Sequence, residues 1–347
     1  MFLPKNIFFT LLFFYTIIFA VDFSIDGNFH GIFDNLENKY SNEESGTIFG
    51  TSSDISFGFL PDKNSTILMG VHLFQTFGDK KNQDFQPLVS YRFQNETNDF
   101  LFGSAARLNF IEYHDYIFSK CWQFENPVFE GIYFHQICPI LNLQWSVWAD
   151  WIGFQSKDTR EMFLLGNDFD YFLKVGEQST LNFGWQFLYH HKASRDREFF
   201  NDPIEDIGAV VGKIKYEYDG FRSAKITNFE TAIRGMLTYD RQREHSSDYY
   251  TSFGIEPSAK IDFNRFAFGY SHFFKIYDHS PYPYNLETGD DRFLDNFGQA
   301  DIIAHFLNSK FAKIEFTLSF IFNDSGVNNR ETMLVSVPIK KVWNTTK

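Results

Sequence analysis

From residue 21 onward, the chain alternates apolar and polar residues in one segment after another. In the first segment Val21, Phe23 and Ile25 share one parity, while Asp22 and Ser24 share the other. Successive side chains of a strand point to opposite faces, so each such segment has an apolar face and a polar face. A chain built almost wholly of two-faced strands predicts a closed antiparallel transmembrane β-barrel, with lipid outside and water inside.

The pattern predicts about 16 strands in an up-and-down meander, within a range of about 14 to 18. Segments 128–137 and 294–307 alternate least clearly, so fourteen strands is an open alternative. The predicted strands are 21–33, 47–60, 66–77, 85–94, 99–111, 128–137, 140–152, 161–173, 179–191, 206–218, 226–240, 248–263, 265–277, 294–307, 311–322 and 331–343.

The connections between these strands alternate in length. Even-numbered connections are short, as at Pro61–Ser65 and Lys174–Gln178, whereas most odd-numbered ones are longer, as at Asp34–Gly46 and Glu112–Pro127. Long loops on one rim and short turns on the other are typical of outer-membrane barrels. An even strand count also places both termini on the short-turn, periplasmic side.

The N-terminus has the features of a secretory signal peptide. Lys5 is followed by the apolar stretch Ile7–Phe19, and Ala20 offers a small residue for cleavage. A retained membrane anchor is the alternative, because the stretch is near the lower length limit for spanning. We predict a signal peptide over residues 1–20 and a single barrel domain over residues 21–347.

The amino-acid composition agrees with a barrel and argues against some classes of binding partner. Aromatic residues make up 20% of the chain and mean hydropathy is −0.29, which fits strands that are only half apolar. A net charge of −13 argues against nucleic acid. No metal or cofactor motif is present, so neither is expected. The predicted topology separates Cys121 from Cys138, which disfavours but does not exclude a disulfide.

The alternating strands and the loop rhythm resemble Gram-negative outer-membrane β-barrels of the porin-like kind, across the whole mature chain. The resemblance is one of plan, without a family-defining motif. It implies a monomeric or trimeric channel in the cell outer membrane and does not identify a substrate. We predict that lipid surrounds the barrel and that small polar solutes pass through it. In porins the third long loop commonly enters the lumen, which makes the aromatic-rich Glu112–Pro127 the constriction candidate. A cap at the outer rim is the alternative.

Strand parity predicts which polar residues line the pore. Aspartates on two neighbouring strands are expected to form a negative patch, with arginines elsewhere on the wall and a tryptophan as a ligand candidate. The alternative is a solvated wall whose charges pair with one another. The predicted pore-lining residues are Asp150, Asp168, Asp170, Arg92, Arg107, His190 and Trp148.

Catalytic residues have little support in the sequence. His245 and Ser247 have the His-x-Ser spacing of outer-membrane phospholipase A, but Ala259 stands where an orienting Asn is expected. The pair His190–His191 is followed by Lys192 instead of Ser. We therefore predict a passive porin-like channel that is not an enzyme. The alternatives are a structural or surface-interaction barrel with a closed lumen and, third, a lipid-acting barrel enzyme.

Overall fold

The computed structural model describes residues 22–37, 46–78, 83–154, 160–193, 204–220, 226–242, 250–278 and 296–343. The predicted signal peptide lies outside these residues. Sixteen antiparallel strands form one closed barrel in chain order, and β1 pairs with β16 to close it. This confirms the predicted fold and strand count. The strands are β1 Asp22–Glu37, β2 Gly46–Leu60, β3 Ser65–Thr76, β4 Gln83–Gln94, β5 Asn98–Ala106, β6 Val128–Cys138, β7 Leu143–Gly153, β8 Met162–Lys174, β9 Ser179–Lys192, β10 Glu205–Tyr218, β11 Ile226–Gln242, β12 Tyr250–Phe263, β13 Phe266–Asp278, β14 Phe297–Asn308, β15 Lys313–Asn323 and β16 Gly326–Trp343.

The barrel has two distinct rims. Phe23 pairs with Trp343, so the start of β1 and the end of β16 lie at the same rim, called here the terminal rim. The connections at that rim are short, for example 95–97 and 264–265, with 219–225 as the longest. The opposite rim, called the loop rim, carries the longer connections apart from 324–325, which joins β15 to β16. The structure therefore has the alternation of long and short connections that the sequence predicts.

The two faces of the wall differ as the alternation predicts. Large apolar side chains lie on the outer surface, with Ile233 60% exposed and Phe57 and Phe102 each 57% exposed. Such a surface is stable only when lipid covers it, because apolar area in water is unfavourable. Among the described residues, no helix combines the length and apolar character needed to cross a membrane.

The main departure from the predicted strands is at β5. This strand ends at Ala106 instead of residue 111, and Arg107–Asn109 form a 3₁₀ turn. The Arg107 amide donates to the Pro127 carbonyl at 2.7 Å, so residues 107 and 127 meet where the barrel wall resumes. The residues between them leave the wall. They include the only α-helix of the described chain, α1, Lys120–Glu125.

Candidate functional site

The segment from Arg107 to Pro127, called here the inserted segment, crosses the barrel lumen. The His114 amide donates to Gln186 Oε1 on β9 at 2.8 Å, and His114 Nε2 lies 3.5 Å from Glu256 Oε1 on β12. On the other side, the Phe124 ring packs 5.2 Å from that of Phe74 on β3. These strands lie on opposite walls of the barrel. The prediction that this loop enters the lumen is confirmed.

Apolar packing holds the inserted segment in place. Ile117 and Phe118 are 0% exposed, and Phe124 is 2% exposed. Trp148, on β7, is also buried and donates through Nε1 to the Tyr113 hydroxyl at 3.1 Å. The aromatic side chains that would be unfavourable in water therefore form a core inside the barrel. In this structure Trp148 packs against the segment and does not face an open lumen.

The short helix α1 is capped within the segment. The Trp122 amide donates to Ser119 Oγ at 3.1 Å, which satisfies one of the amides left free at a helix start. The Gln123 side chain donates to the Phe118 carbonyl at 3.3 Å. Burial raises the pKa of Glu125 and raises that of Tyr113 well above its usual value.

A buried ion pair fixes both ends of the segment. Arg107 Nη1 bonds to Asp150 Oδ2, and the two side chains are 1% and 0% exposed. Arg107 also donates from Nε to the Asn126 carbonyl at 2.9 Å and from Nη2 to the Val128 carbonyl at 2.7 Å. Asp150 Oδ1 accepts from the Glu130 amide at 2.8 Å. Together these contacts join the start of the segment, its end and the neighbouring wall.

The predicted separation of charges on the wall is wrong for Arg107. It lies against Asp150, because β5 ends early and the 3₁₀ turn carries Arg107 across to β7. The expected negative patch is also neutralised in part, since Lys213 Nζ lies 2.7 Å from Asp170 Oδ1. Asp168 accepts a hydrogen bond from Ser146.

Two other predicted pore residues also point inward. Arg92 donates to both carboxylate oxygens of Asp99, at 2.9 and 2.5 Å. His190 is 3% exposed, so it presents little surface to a lumen. The sequence therefore predicted the direction of these side chains, whereas their partners became visible only in the structure.

Beside the inserted segment, a series of cavities follows β1 and β16. Their volumes are 430 Å³ near the terminal rim, then 330 Å³, then 120 Å³ towards the loop rim. Neighbouring cavities share lining residues, first His30, Leu108 and Ser336, then Ile32 and Leu334. At the end of the series Arg330 binds Asp34 through two hydrogen bonds of 2.7 and 2.5 Å.

A second polar group lies on the outer surface, near the loop rim. His191 Nδ1 is 2.7 Å from Asp206 Oδ1, and the Tyr189 hydroxyl donates to the same oxygen at 2.6 Å. The Phe163 ring lies 4.8 Å from the His191 ring. The sequence signal for this group is Asp206, a carboxylate at an outward position of β10. Sequence reasoning noticed His191 but missed its partner. His245 and Ser247 lie outside the described residues, and Cys138 is a free thiol.

Solved structures of outer-membrane proteins are similar to this chain in fold. OmpT of Vibrio cholerae, in a form lacking loop L8, is similar with a TM-score of 0.51 and 7% identity, over 93% of this chain and 100% of that one. OprD of Pseudomonas aeruginosa has a TM-score of 0.48 and 8% identity, over 92% and 95% of the two chains. OccK2 of the same organism has a TM-score of 0.44 and 10% identity, over 91% and 98%. The protein therefore has the closed β-barrel fold seen in outer-membrane porin-like proteins.

Comparison with protein families corrects the functional expectation. No curated protein matches the sequence. A model of the family described as lipid A 3'-O-deacylase-type matches residues 20–275. That description names an enzyme activity, so the prediction that the chain is not an enzyme is wrong. Since the match extends from the start of the barrel to β13 and covers more than half of the chain, this protein belongs to the lipid A 3'-O-deacylase-type family.

Proposed function

We propose that the protein hydrolyses an acyl ester of a lipid A-type glycolipid in the outer leaflet of the outer membrane. The observation that carries this proposal is the family match over residues 20–275. The matched region includes the inserted segment and the wall from β1 to β12, together with most of β13. The region that matches the family model therefore lies almost entirely within the barrel of this chain.

The geometry supports access from the lipid side. The inserted segment fills the centre of the lumen, so a substrate with several acyl chains has no wide route through the barrel. The outer surface, by contrast, is apolar and aromatic along most strands, which suits acyl chains lying against the wall. We assign the loop rim to the cell exterior, because long loops lie outside in barrels of this kind.

A direct assay tests the proposal. The purified, folded barrel is incubated with lipid A in detergent micelles, and released fatty acid and the remaining glycolipid are measured by mass spectrometry. We expect a glycolipid lighter by one acyl group, with the fatty acid in equal amount. Heat-unfolded protein is the control. Intact lipid A after incubation with folded protein would contradict the proposal.

A second function, passive passage of small polar solutes, is favoured by the cavities along β1 and β16. They follow one another from the terminal rim towards the loop rim, beside the inserted segment. Asp26, Asp54 and Arg92 line the largest of them. A route of this kind suits small hydrated solutes, and Asp168 and Asp170 on the opposite wall are further pore-lining candidates.

Conductance in a planar bilayer tests this second function. We expect small single-channel currents in the unmodified protein and larger ones in the double variant Asp34→Ala, Arg330→Ala, because the pair at the end of the series is removed. The absence of current in both proteins would contradict passage and favour a closed barrel.

A further inference from the structure

The surface group around His191 faces the membrane and not the lumen. On β9, Phe183 and Trp185 are 37% and 44% exposed on the outer surface, and His191 shares their parity. On β10, Ile214 is 53% exposed, and Asp206 shares its parity. His191 and Asp206 are also register partners across the two strands, so they lie side by side on the outer face.

The group lies at the level where lipid headgroups meet the wall. His191 is next to the last residue of β9, and Asp206 is the second residue of β10. Below the group, the outer surface of these strands is apolar. If the loop rim is outside the cell, as proposed above, His191 stands at the outer leaflet, where the ester linkages of a glycolipid lie between its sugars and its acyl chains.

A carboxylate on this face calls for an explanation. The Asp206 side chain is only 2% exposed and the His191 side chain is 18% exposed. A buried charge next to lipid is costly unless it is paired, and the outward positions of barrel strands are normally apolar. Asp206 accepts hydrogen bonds from both His191 and Tyr189, so the group is built around this one carboxylate.

This arrangement fixes the imidazole for proton transfer. A carboxylate that accepts from Nδ1 holds the proton on that nitrogen and leaves Nε2 with its lone pair available. Among the described residues, no hydrogen bond to His191 Nε2 is formed. Phe163 packs against the ring and limits its rotation. The imidazole is therefore oriented by its neighbours and has one nitrogen free to act as a base.

We propose that His191 is the general base for ester hydrolysis at the outer surface of the barrel, with Asp206 as its positioning residue; this rests on the proposed lipid hydrolysis. His191 Nε2 takes a proton from water as the water oxygen bonds to the acyl carbon. The bond from that carbon to the sugar oxygen then breaks, and the imidazolium returns the proton to the leaving oxygen. The products are a free fatty acid and a sugar hydroxyl.

Neighbouring residues offer a surface for the acyl chain and a positive charge for the anionic part of the substrate. Trp151 and Phe163 lie side by side on the outer face, with ring centroids 5.8 Å apart, and offer an apolar surface to an acyl chain. Arg241 of β11 is the register partner of Asp206 and therefore stands on the same face. A cation on this face favours a substrate that carries phosphate or develops negative charge on its carbonyl oxygen. The substrate class is thus an anionic acylated lipid.

The test compares two substrates and three proteins. Lipid A and p-nitrophenyl laurate, both in micelles, are offered to the unmodified protein, to His191→Gln and to a matched control, His305→Gln. His305 also pairs with a carboxylate, that of Glu315 at 3.2 Å, but near the terminal rim. Heat-modifiable gel mobility establishes that each variant is folded. We expect His191→Gln to lose at least about 100-fold in rate on both substrates and His305→Gln to keep its rate.

Each result decides between the claims. Hydrolysis of lipid A that survives in folded His191→Gln overturns the assignment of the base and leaves the proposed function standing. Hydrolysis of the nitrophenyl ester alone, lost in His191→Gln, supports the base and overturns lipid A as substrate. If neither substrate is hydrolysed, both proposals fail.

Asp206→Asn distinguishes positioning from structural support. We expect kcat to fall at least about 10-fold with KM unchanged, because the imidazole loses its orientation while the substrate surface remains. A rise in KM with unchanged kcat would overturn the positioning role.

Discussion

Arg107 holds the two ends of the inserted segment against the barrel wall. Its guanidinium binds Asp150 on β7, the Asn126 carbonyl near the end of the inserted segment and the Val128 carbonyl at the start of β6. Strand parity predicted correctly that Arg107 and Asp150 point inward. It could not predict that they meet, because their approach depends on β5 ending at Ala106, and nothing local in the sequence marks that residue as a strand end.

Removing this guanidinium should destabilise the barrel strongly. Arg107→Ala leaves Asp150 buried without its cation, which costs about 3–5 kcal/mol in comparable buried pairs. The matched control is Arg92→Ala: Arg92 is also paired with an aspartate, but its side chain is 35% exposed, so about 0–1 kcal/mol is expected. Urea unfolding in detergent, followed by tryptophan fluorescence, measures both. Equal losses in the two variants would contradict the stabilising role of the buried pair between Arg107 and Asp150.

At the scale of elements, the inserted segment separates this barrel from an open cylinder. Its aromatic content was visible in the sequence, and burial of that apolar surface is the physical reason why it lies in the lumen. The short helix α1 within it was not predicted, because six residues are too few for a helical period to show. Segments 128–137 and 294–307 were the weakest strand predictions. Both segments form strands over their described residues, Val128–Cys138 and Phe297–Asn308, since pairing with neighbours on two sides outweighs an irregular pattern.

Shortening the inserted segment should open the barrel. If Tyr113–Phe124 is replaced by a short Gly–Ser linker, the apolar core of the lumen is removed while Arg107 and Asp150 remain. We expect the single-channel conductance in a planar bilayer to rise several-fold and the barrel to stay heat-modifiable. A control replaces the connection 324–325 with the same linker, which should leave the conductance unchanged. Unchanged conductance in the shortened, folded protein would mean that the segment does not restrict the lumen.

At the scale of the whole molecule, the closed barrel and its two unlike rims followed from alternation and loop length. Its membership in an enzyme family did not. The outer-surface group joins His191 to Asp206 across a loop and to Phe163 on a third strand, so no short motif represents it. A polar residue on the lipid-facing side of one strand carries no functional signal by itself. Its partner becomes evident only when the register with the neighbouring strand is known.

The orientation of the barrel can be tested on intact cells. A short epitope inserted between Asp324 and Ser325 should bind antibody from outside, because this connection lies at the loop rim. The same epitope between Glu96 and Thr97, at the terminal rim, should bind only after the outer membrane is permeabilised. The opposite labelling pattern would place His191 at the inner leaflet and remove the basis for its access to outer-leaflet lipid.

The measurement that bears most directly on the account is the lipid A of living cells. A Gram-negative host that expresses the full chain should contain lipid A lighter by one acyl group than a host with the empty vector, as measured by mass spectrometry of extracted lipid A. Expression of His191→Gln at equal level in the outer membrane should leave lipid A at its original mass. Unaltered lipid A in cells whose outer membrane contains the folded, unmodified barrel would contradict the proposed lipid A hydrolysis.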